Sequence, residues 1–314
     1  MSFSNKCIIF DVDGVLIDTR FSYNIAIRKT VELVFSKIES GIFDKPLVTD
    51  DMIYEFRQTG NFNNDTDTAY AILLCNLCIP HRDTLMRNFI IEVVKKATYN
   101  GIISVEQYLS GFSRNRLKLV KTRLKYPNDV TQSIVTRIFD EYFYGAALFR
   151  KKYGLKPLYY FGSPLINKDR ILIKKSALRK ISDLFSGRMA IITGRSKLAS
   201  QYSLGMIYTS FDQKASTHLE DVDRNFRKPN PHSLQKSLNS LSSTQGFYVG
   251  DSSEDLIMAK RLNKRNRYNI QFIGVYGASI NPEKAREFFL KNRCLALETV
   301  NEIPNILYKV RSRS

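Results

Sequence analysis

Tryptophan is absent from the 314-residue chain, histidine occurs three times and cysteine four times. Thiols this sparse exclude a small disulfide-stapled scaffold. Cys75 and Cys78 lie inside the apolar run Ala71–Ile79 with only His81 nearby. That falls short of the four ligands a structural zinc takes, so the pair reads as core packing. Glycine and proline are also scarce, 15 and 9 residues against 43% hydrophobic residues, which excludes a disordered chain and predicts a packed core. No apolar run approaches the ~18 residues of a membrane-spanning helix. Met1–Lys6 leads straight into a short strand-like run, without the apolar core and small-residue cleavage site of a signal peptide. A cytoplasmic protein of two domains, or one large one, is expected.

Acidic residues are in deficit, 30 against 48 basic ones, for a formal net charge of +18. The excess is uneven. Residues 111–180 hold 17 basic and 4 acidic side chains, whereas residues 1–110 hold 11 and 14. Such a block suits an anionic substrate or an acidic partner, or is a solvated lysine-rich surface. No RNA-recognition signature, zinc-finger spacing or basic zipper accompanies it, so nucleic acid is a disfavoured partner.

Residues 6–10 read as a buried strand, short, apolar and ending at a polar break. Helical spacing recurs at 21–38, 50–56, 68–77, 83–96, 105–109 and 131–152. The pattern changes near residue 188. Apolar runs at 189–192, 206–209, 247–249 and 270–275 alternate with helical segments at 197–203, 231–241, 254–262 and 282–292. Strands alternating with helices imply a parallel sheet. The expected fold class is α/β: a Rossmann-like parallel sheet core built from residues 1–17 and 185–314, with a mostly α-helical domain inserted at 18–184.

Three apolar runs end in reactive polar residues: Phe10 in Asp11-Val12-Asp13-Gly14, Ile192 in Thr193-Gly194-Arg195, and Val249 in Gly250-Asp251-Ser252. Ligands of open α/β sheets bind beyond the carboxyl ends of the strands, so these three ends should meet at one crevice. Asp11 and Asp13 are two apart in an extended segment, and their side chains can share a side. Carboxylates so close need a cation or a shared proton. Asp251 and Asp255 supply two more. Carboxylate oxygens without histidine or cysteine suit a hard cation, Mg²⁺ above all. Donors stand opposite: Thr193, the backbone near Gly194, and Lys228, fixed before a helix by Pro229 and Pro231. This set suits phosphoryl transfer. An ionised Asp11 can attack phosphorus without a base to give an aspartyl-phosphate. Mg²⁺ and Lys228 would offset the anion–anion repulsion, and Asp13 would protonate the leaving alcohol and then accept a proton from water.

Asp11-Val12-Asp13-Gly14-Val15-Leu16-Ile17-Asp18-Thr19 resembles the first motif of the haloacid dehalogenase superfamily. Thr193-Gly194-Arg195, Lys228-Pro229-Asn230-Pro231 and Gly250-Asp251-Ser252-Ser253-Glu254-Asp255 resemble its second, third and fourth motifs, in order. The helical insertion is similar to the cap of the phosphoglycolate phosphatase-like and phosphoglucomutase-like members. The resemblance implies Asp11 as nucleophile and Asp13 as acid/base. It implies Mg²⁺ held by the Asp11 and Asp251 carboxylates and the Asp13 carbonyl, and Thr193 and Lys228 on the phosphate of a small phosphorylated metabolite. An aspartate at 13 favours phosphate chemistry over dehalogenation. A mutase would use the same aspartate pair, and the basic block would let a phosphatase fold bind a polyanion as well.

Other residues carry two readings. Arg57, Asn61, Asn64 and Asp65 read the substrate's leaving group or build a turn. Gly194, Arg195 and Asp255 are placed on the phosphate side, with Arg195 clamping the anion or capping a helix. Glu220 and Asp221 support the metal or lie on the surface. Tyr142 and Tyr144 read as packing.

Overall fold

The computed structural model describes residues 3, 5–39, 45–59, 62, 64–79, 83–96 and 100–311. Its chain divides into two compact units, residues 1–19 with 169–314, and residues 20–168.

The first unit begins with β1 (Lys6–Phe10) and a two-residue strand, β2 (Ile17–Asp18). The regular structure among the described residues of the second unit is all helical. It comprises α1 (Tyr23–Ile38), α2 (Asp50–Gln58), α3 (Asp65–Cys78), α4 (Asp83–Lys96), α5 (Ile102–Leu124) and α6 (Ile134–Tyr153). Side-chain oxygens start three of these helices. Thr49 accepts from the Met52 N–H, Asn64 from Thr66, and Ser133 from Thr136. The sequence pattern marks only 105–109 of α5. The rest is masked by a polar, basic surface and by non-helical dihedrals at Ser113. Gly145 likewise interrupts α6. Cys75 and Cys78 are free thiols buried in α3, where burial pushes the Cys78 thiol up to about 11, so both pack rather than react.

The chain returns to the first unit at Asp169, earlier than the 185 expected from the sequence. It continues through β3 (Arg170–Ile171), α7 (Lys175–Phe185), β4 (Met189–Thr193), α8 (Lys197–Leu204), β5 (Thr217–His218) and α9 (His232–Ser240). β6 (Gln245–Gly250), α10 (Ser253–Asn263), β7 (Asn269–Val275), α11 (Pro282–Lys291), β8 (Leu295–Leu297) and α12 (Ile303–Arg311) complete it. Six strands form one parallel sheet in the order β5-β4-β1-β6-β7-β8. β2 and β3 pair antiparallel beside it.

Strand residues alternate between two apolar layers. Ile8, Phe10, Ile191, Phe247 and Val249 face Leu178, Ile181, Leu184 and Phe185 of α7 and Leu307 of α12. Cys7, Ile9, Ile192, Tyr248 and Phe272 face Leu234 and Leu238 of α9, Leu256 and Leu262 of α10, and Phe289 of α11. Burial on both faces is why the central strands read as unbroken apolar runs. It also explains the earlier return: α7 covers one face of the sheet, so residues 169–184 belong to the sheet-bearing unit. The run 206–209 is not a strand. Gly205–Ser210 forms a 3-10 turn, and the strand beside β4 is β5. A short apolar run does not by itself separate strand from helix.

Candidate active site

Asp11 follows β1 directly, between β4 and β6. Its N–H donates to the Val249 carbonyl at 2.8 Å, and its Oδ1 accepts from the Val12 N–H at 2.7 Å. The chain then turns tightly, the Leu16 and Ile17 N–H groups both donating to the Val12 carbonyl. Gly14 makes this possible with φ of +74°. A Cβ at this position would also overlap the Asp251 carboxylate, so the loop after β1 lies against the loop after β6.

Lys228 joins the third motif to both. Its buried ammonium lies 2.9 Å from Asp11 Oδ2 and 2.8 Å from Asp255 Oδ1. Asp255 is held in turn. Tyr248 Oη donates to its Oδ1 at 2.6 Å and Ser252 Oγ to its Oδ2 at 2.6 Å, while Ser252 accepts from the Asp255 N–H to form a capping box on α10. Asp255 therefore fixes the lysine and starts a helix. Sequence reasoning placed Asp255 but missed its partner Tyr248. The Ser-x-x-Asp spacing signals the capping box but not the tyrosine.

Thr193 ends β4, the neighbour of β1, and is fully buried, with its Oγ1 accepting from the Arg195 N–H at 3.2 Å. Gly194 is exposed between them. Arg195 is the largest fully buried side chain among the described residues. Its Nε lies 2.7 Å from Asp13 Oδ1, and its Nη2 lies 2.6 Å from Asp169 Oδ2. Glu220 and Asp221 accept from the Ser196 and Lys197 N–H groups at the start of α8, so both cap a helix.

Electrostatics follow from this crowding. Burial pushes the Asp11 carboxyl well above the usual range. Lys228 pulls it down, and Asp255, Asp251 and Asp13 push it further up. Burial acts the same way on Asp255, but Lys228 with the Ser252 and Tyr248 hydrogen bonds outweighs it, and that carboxyl is lowered. Burial alone would lower the Lys228 ammonium, yet the two carboxylates raise it. Carboxylate oxygens of Asp11, Asp251 and Asp255 converge within 4.8 Å, the one such grouping among the described residues. Oxygen-only donors with surplus negative charge fit a hard divalent cation. Because both Asp255 oxygens already accept from Lys228, Tyr248 and Ser252, Asp11 and Asp251 are the fitting pair.

The cap candidates lie in the other unit. Arg57 donates to Asn24 Oδ1 at 3.0 Å and pairs with Asp65, and Asn64 caps α3. Asn61 lies outside the described residues.

A doubly wound parallel sheet gathers carboxylates, a lysine and a threonine at the ends of its strands. The chain belongs to the haloacid dehalogenase-like hydrolase family, whose model matches residues 5–263. Phosphatase Tt82 from Thermococcus thioreducens has a similar fold, with a TM-score of 0.56 at 23% identity over 85% of this chain and 92% of that one. A hydrolase from Pseudomonas syringae matches with a TM-score of 0.52 at 13% identity over 97% and 99%. No curated protein matches. No described helix is long and apolar enough to cross a membrane.

Proposed function

We propose that the protein is a Mg²⁺-dependent phosphatase that hydrolyses a small organic phosphate monoester through an aspartyl-phosphate on Asp11. The observation that carries this reading is the double contact of Lys228 with Asp11 and Asp255 where Asp251 converges. A phosphate arriving there meets a carboxylate held in place by its own backbone and an ammonium fixed from behind by Asp255. The name of the Thermococcus relative agrees with it.

In this reading Asp11 attacks phosphorus, Lys228 and the Thr193 hydroxyl bind phosphate oxygens, and the exposed Gly194 lets backbone groups approach them. Asp13 gives a proton to the leaving oxygen and takes one from the incoming water. Asp11 and Asp251, with the Asp13 carbonyl, would hold the Mg²⁺, which when bound lowers the repulsion between carboxylate and phosphate. The helical unit 20–168 serves as the cap that selects the organic group.

The test is a screen of small phosphate monoesters with Mg²⁺, reading released inorganic phosphate. Wild-type turnover should fall by about four orders of magnitude or more in Asp11→Asn, the scale of losing a covalent nucleophile. Equal turnover by this variant would remove the assignment. Chelation should abolish phosphate release and added Mg²⁺ restore it.

A further inference from the structure

We infer that Arg195 is a positioning residue for Asp13, held in place by Asp169 and Ser203, and that it does not bind substrate phosphate. The inference rests on the phosphatase reading, because Asp13 matters through its proton transfers.

Arg195 leaves the second motif two residues after Thr193 and is 0% exposed. A buried guanidinium is tolerated only where its nitrogens find oxygens. Here Nη1 and Nη2 are hydrogen-bonded, and Nε has a close ion-pair contact that lacks hydrogen-bond geometry. Nη2 meets Asp169 Oδ2 at 2.6 Å, Nη1 donates to Ser203 Oγ at 2.8 Å, and Nε lies 2.7 Å from Asp13 Oδ1. Ser203 also donates to Asp169 Oδ2 at 2.6 Å, which closes a small ring of contacts behind the guanidinium. The fork is planar and rigid, so fixing two nitrogens fixes the third. Ser203 stands on α8, and Asp169 is the first residue of the sheet-bearing unit after the insertion. Both anchors are thus set by the scaffold. Asp13 belongs to the turn over Gly14, and its side chain is 28% exposed. Arg195 Nε gives this loop carboxylate a fixed stop.

The chemistry that depends on the stop has two proton transfers. As the Asp11–phosphorus bond forms and the ester P–O bond breaks, a proton passes from the Asp13 carboxyl to the departing oxygen, giving the alcohol. Water then bonds to phosphorus and its proton passes to the Asp13 carboxylate. The Asp11–phosphorus bond breaks and its electron pair returns to Asp11. A misplaced Asp13 harms the first transfer most when the leaving group is basic.

The experiment compares kcat/KM for phenyl phosphate and p-nitrophenyl phosphate, two esters of similar shape whose leaving groups differ in their need for a proton. Arg195→Lys and Asp169→Asn, each checked for folding by thermal denaturation, are measured beside wild type. Both variants should lose about 10- to 100-fold on phenyl phosphate and severalfold less on p-nitrophenyl phosphate, within the range a general acid contributes. Inhibition by inorganic phosphate should be unchanged. Equal losses on the two esters would overturn the inference, because a structural role predicts them. Weakened phosphate inhibition would overturn it in favour of a clamp. Loss of p-nitrophenyl phosphate turnover in Asp11→Asn checks the parent reading separately. If that variant stays active, the phosphatase reading falls and this inference with it.

Discussion

The two units use ionisable side chains in opposite ways. In residues 20–168 ion pairs join neighbouring turns and segments, within a unit that stays strongly basic beyond residue 110. Arg57 pairs with Asp65, Arg116 with Glu39, Lys121 with Glu106 and Arg137 with Glu141. Glu141 is 0% exposed and also accepts from the N–H groups of Leu158, Tyr159 and Tyr160, pinning that segment to α6. In the sheet-bearing unit one lysine faces two carboxylates while a third converges on the same point. Matched pairs hold helices together. A cluster of buried carboxylates at strand ends repels itself, which is the charge pattern expected where a cation or phosphate is to be received.

Replacing Lys228 by Met should break this contrast most. Phosphate release should drop about 10²- to 10³-fold, the scale of removing a preorganised donor. Two buried carboxylates lose their shared cation, so stability should fall by about 3–5 kcal/mol. Added Mg²⁺ should recover part of the lost melting temperature. A variant that melts like wild type without Mg²⁺ would mean that the cluster is not strained.

Glu141→Gln probes the matched side. The amide keeps the shape but loses the ion pair and weakens three backbone hydrogen bonds, at a cost of about 2–4 kcal/mol in urea unfolding. Turnover of the surviving folded protein should be unchanged. A large kcat loss with normal stability would give the insertion a chemical role.

His218, at the end of β5, tests the sheet edge. Its ring hydrogen-bonds with Ser200 and Tyr208. Burial, helped by Lys197 and opposed by Glu220, holds its pKa down at about 4 from 6.5. Between these values the unfolded chain takes up a proton that the folded chain refuses. The stability owed to the neutral ring is therefore complete above pH 6.5 and is lost as the pH falls toward 4, by about 2–3 kcal/mol. His218→Gln should flatten the melting temperature across this window. An unchanged slope would assign the acid sensitivity to other groups.

Arg57→Gln should do least, about 1 kcal/mol of stability, because its ion pair is partly exposed. If KM instead rises tenfold or more at constant stability, Arg57 reads the substrate and the contrast needs redrawing.

The central strands were legible because β1, β4, β6 and β7 are buried on both faces and carry few polar residues. β5 and β8, with two and three residues, are too short to leave a pattern. α7 was missed because its exposed face is basic and blends into the basic block before it. The polar residues that end apolar runs, Asp11, Thr193 and Asp251, announce themselves locally, and Lys228 does so through its flanking prolines. Tyr248 does not, since a tyrosine in a strand reads as packing until its hydroxyl is seen on Asp255. Asp169 lies 26 residues from Arg195, and nothing in either segment points to the other.

The position of β1 has a consequence for synthesis on the ribosome. Phe10 pairs with Ile191 on one side and Val249 on the other. The strand at the middle of the sheet is made before either neighbour, and the whole helical unit emerges before its first partner exists. Until then Cys7–Phe10 is an apolar edge with nothing to pair with, the kind of segment that recruits chaperones or aggregates. The nascent chain must therefore shelter its centre strand for most of its translation, and slowing translation between residues 20 and 188 would lengthen that exposure.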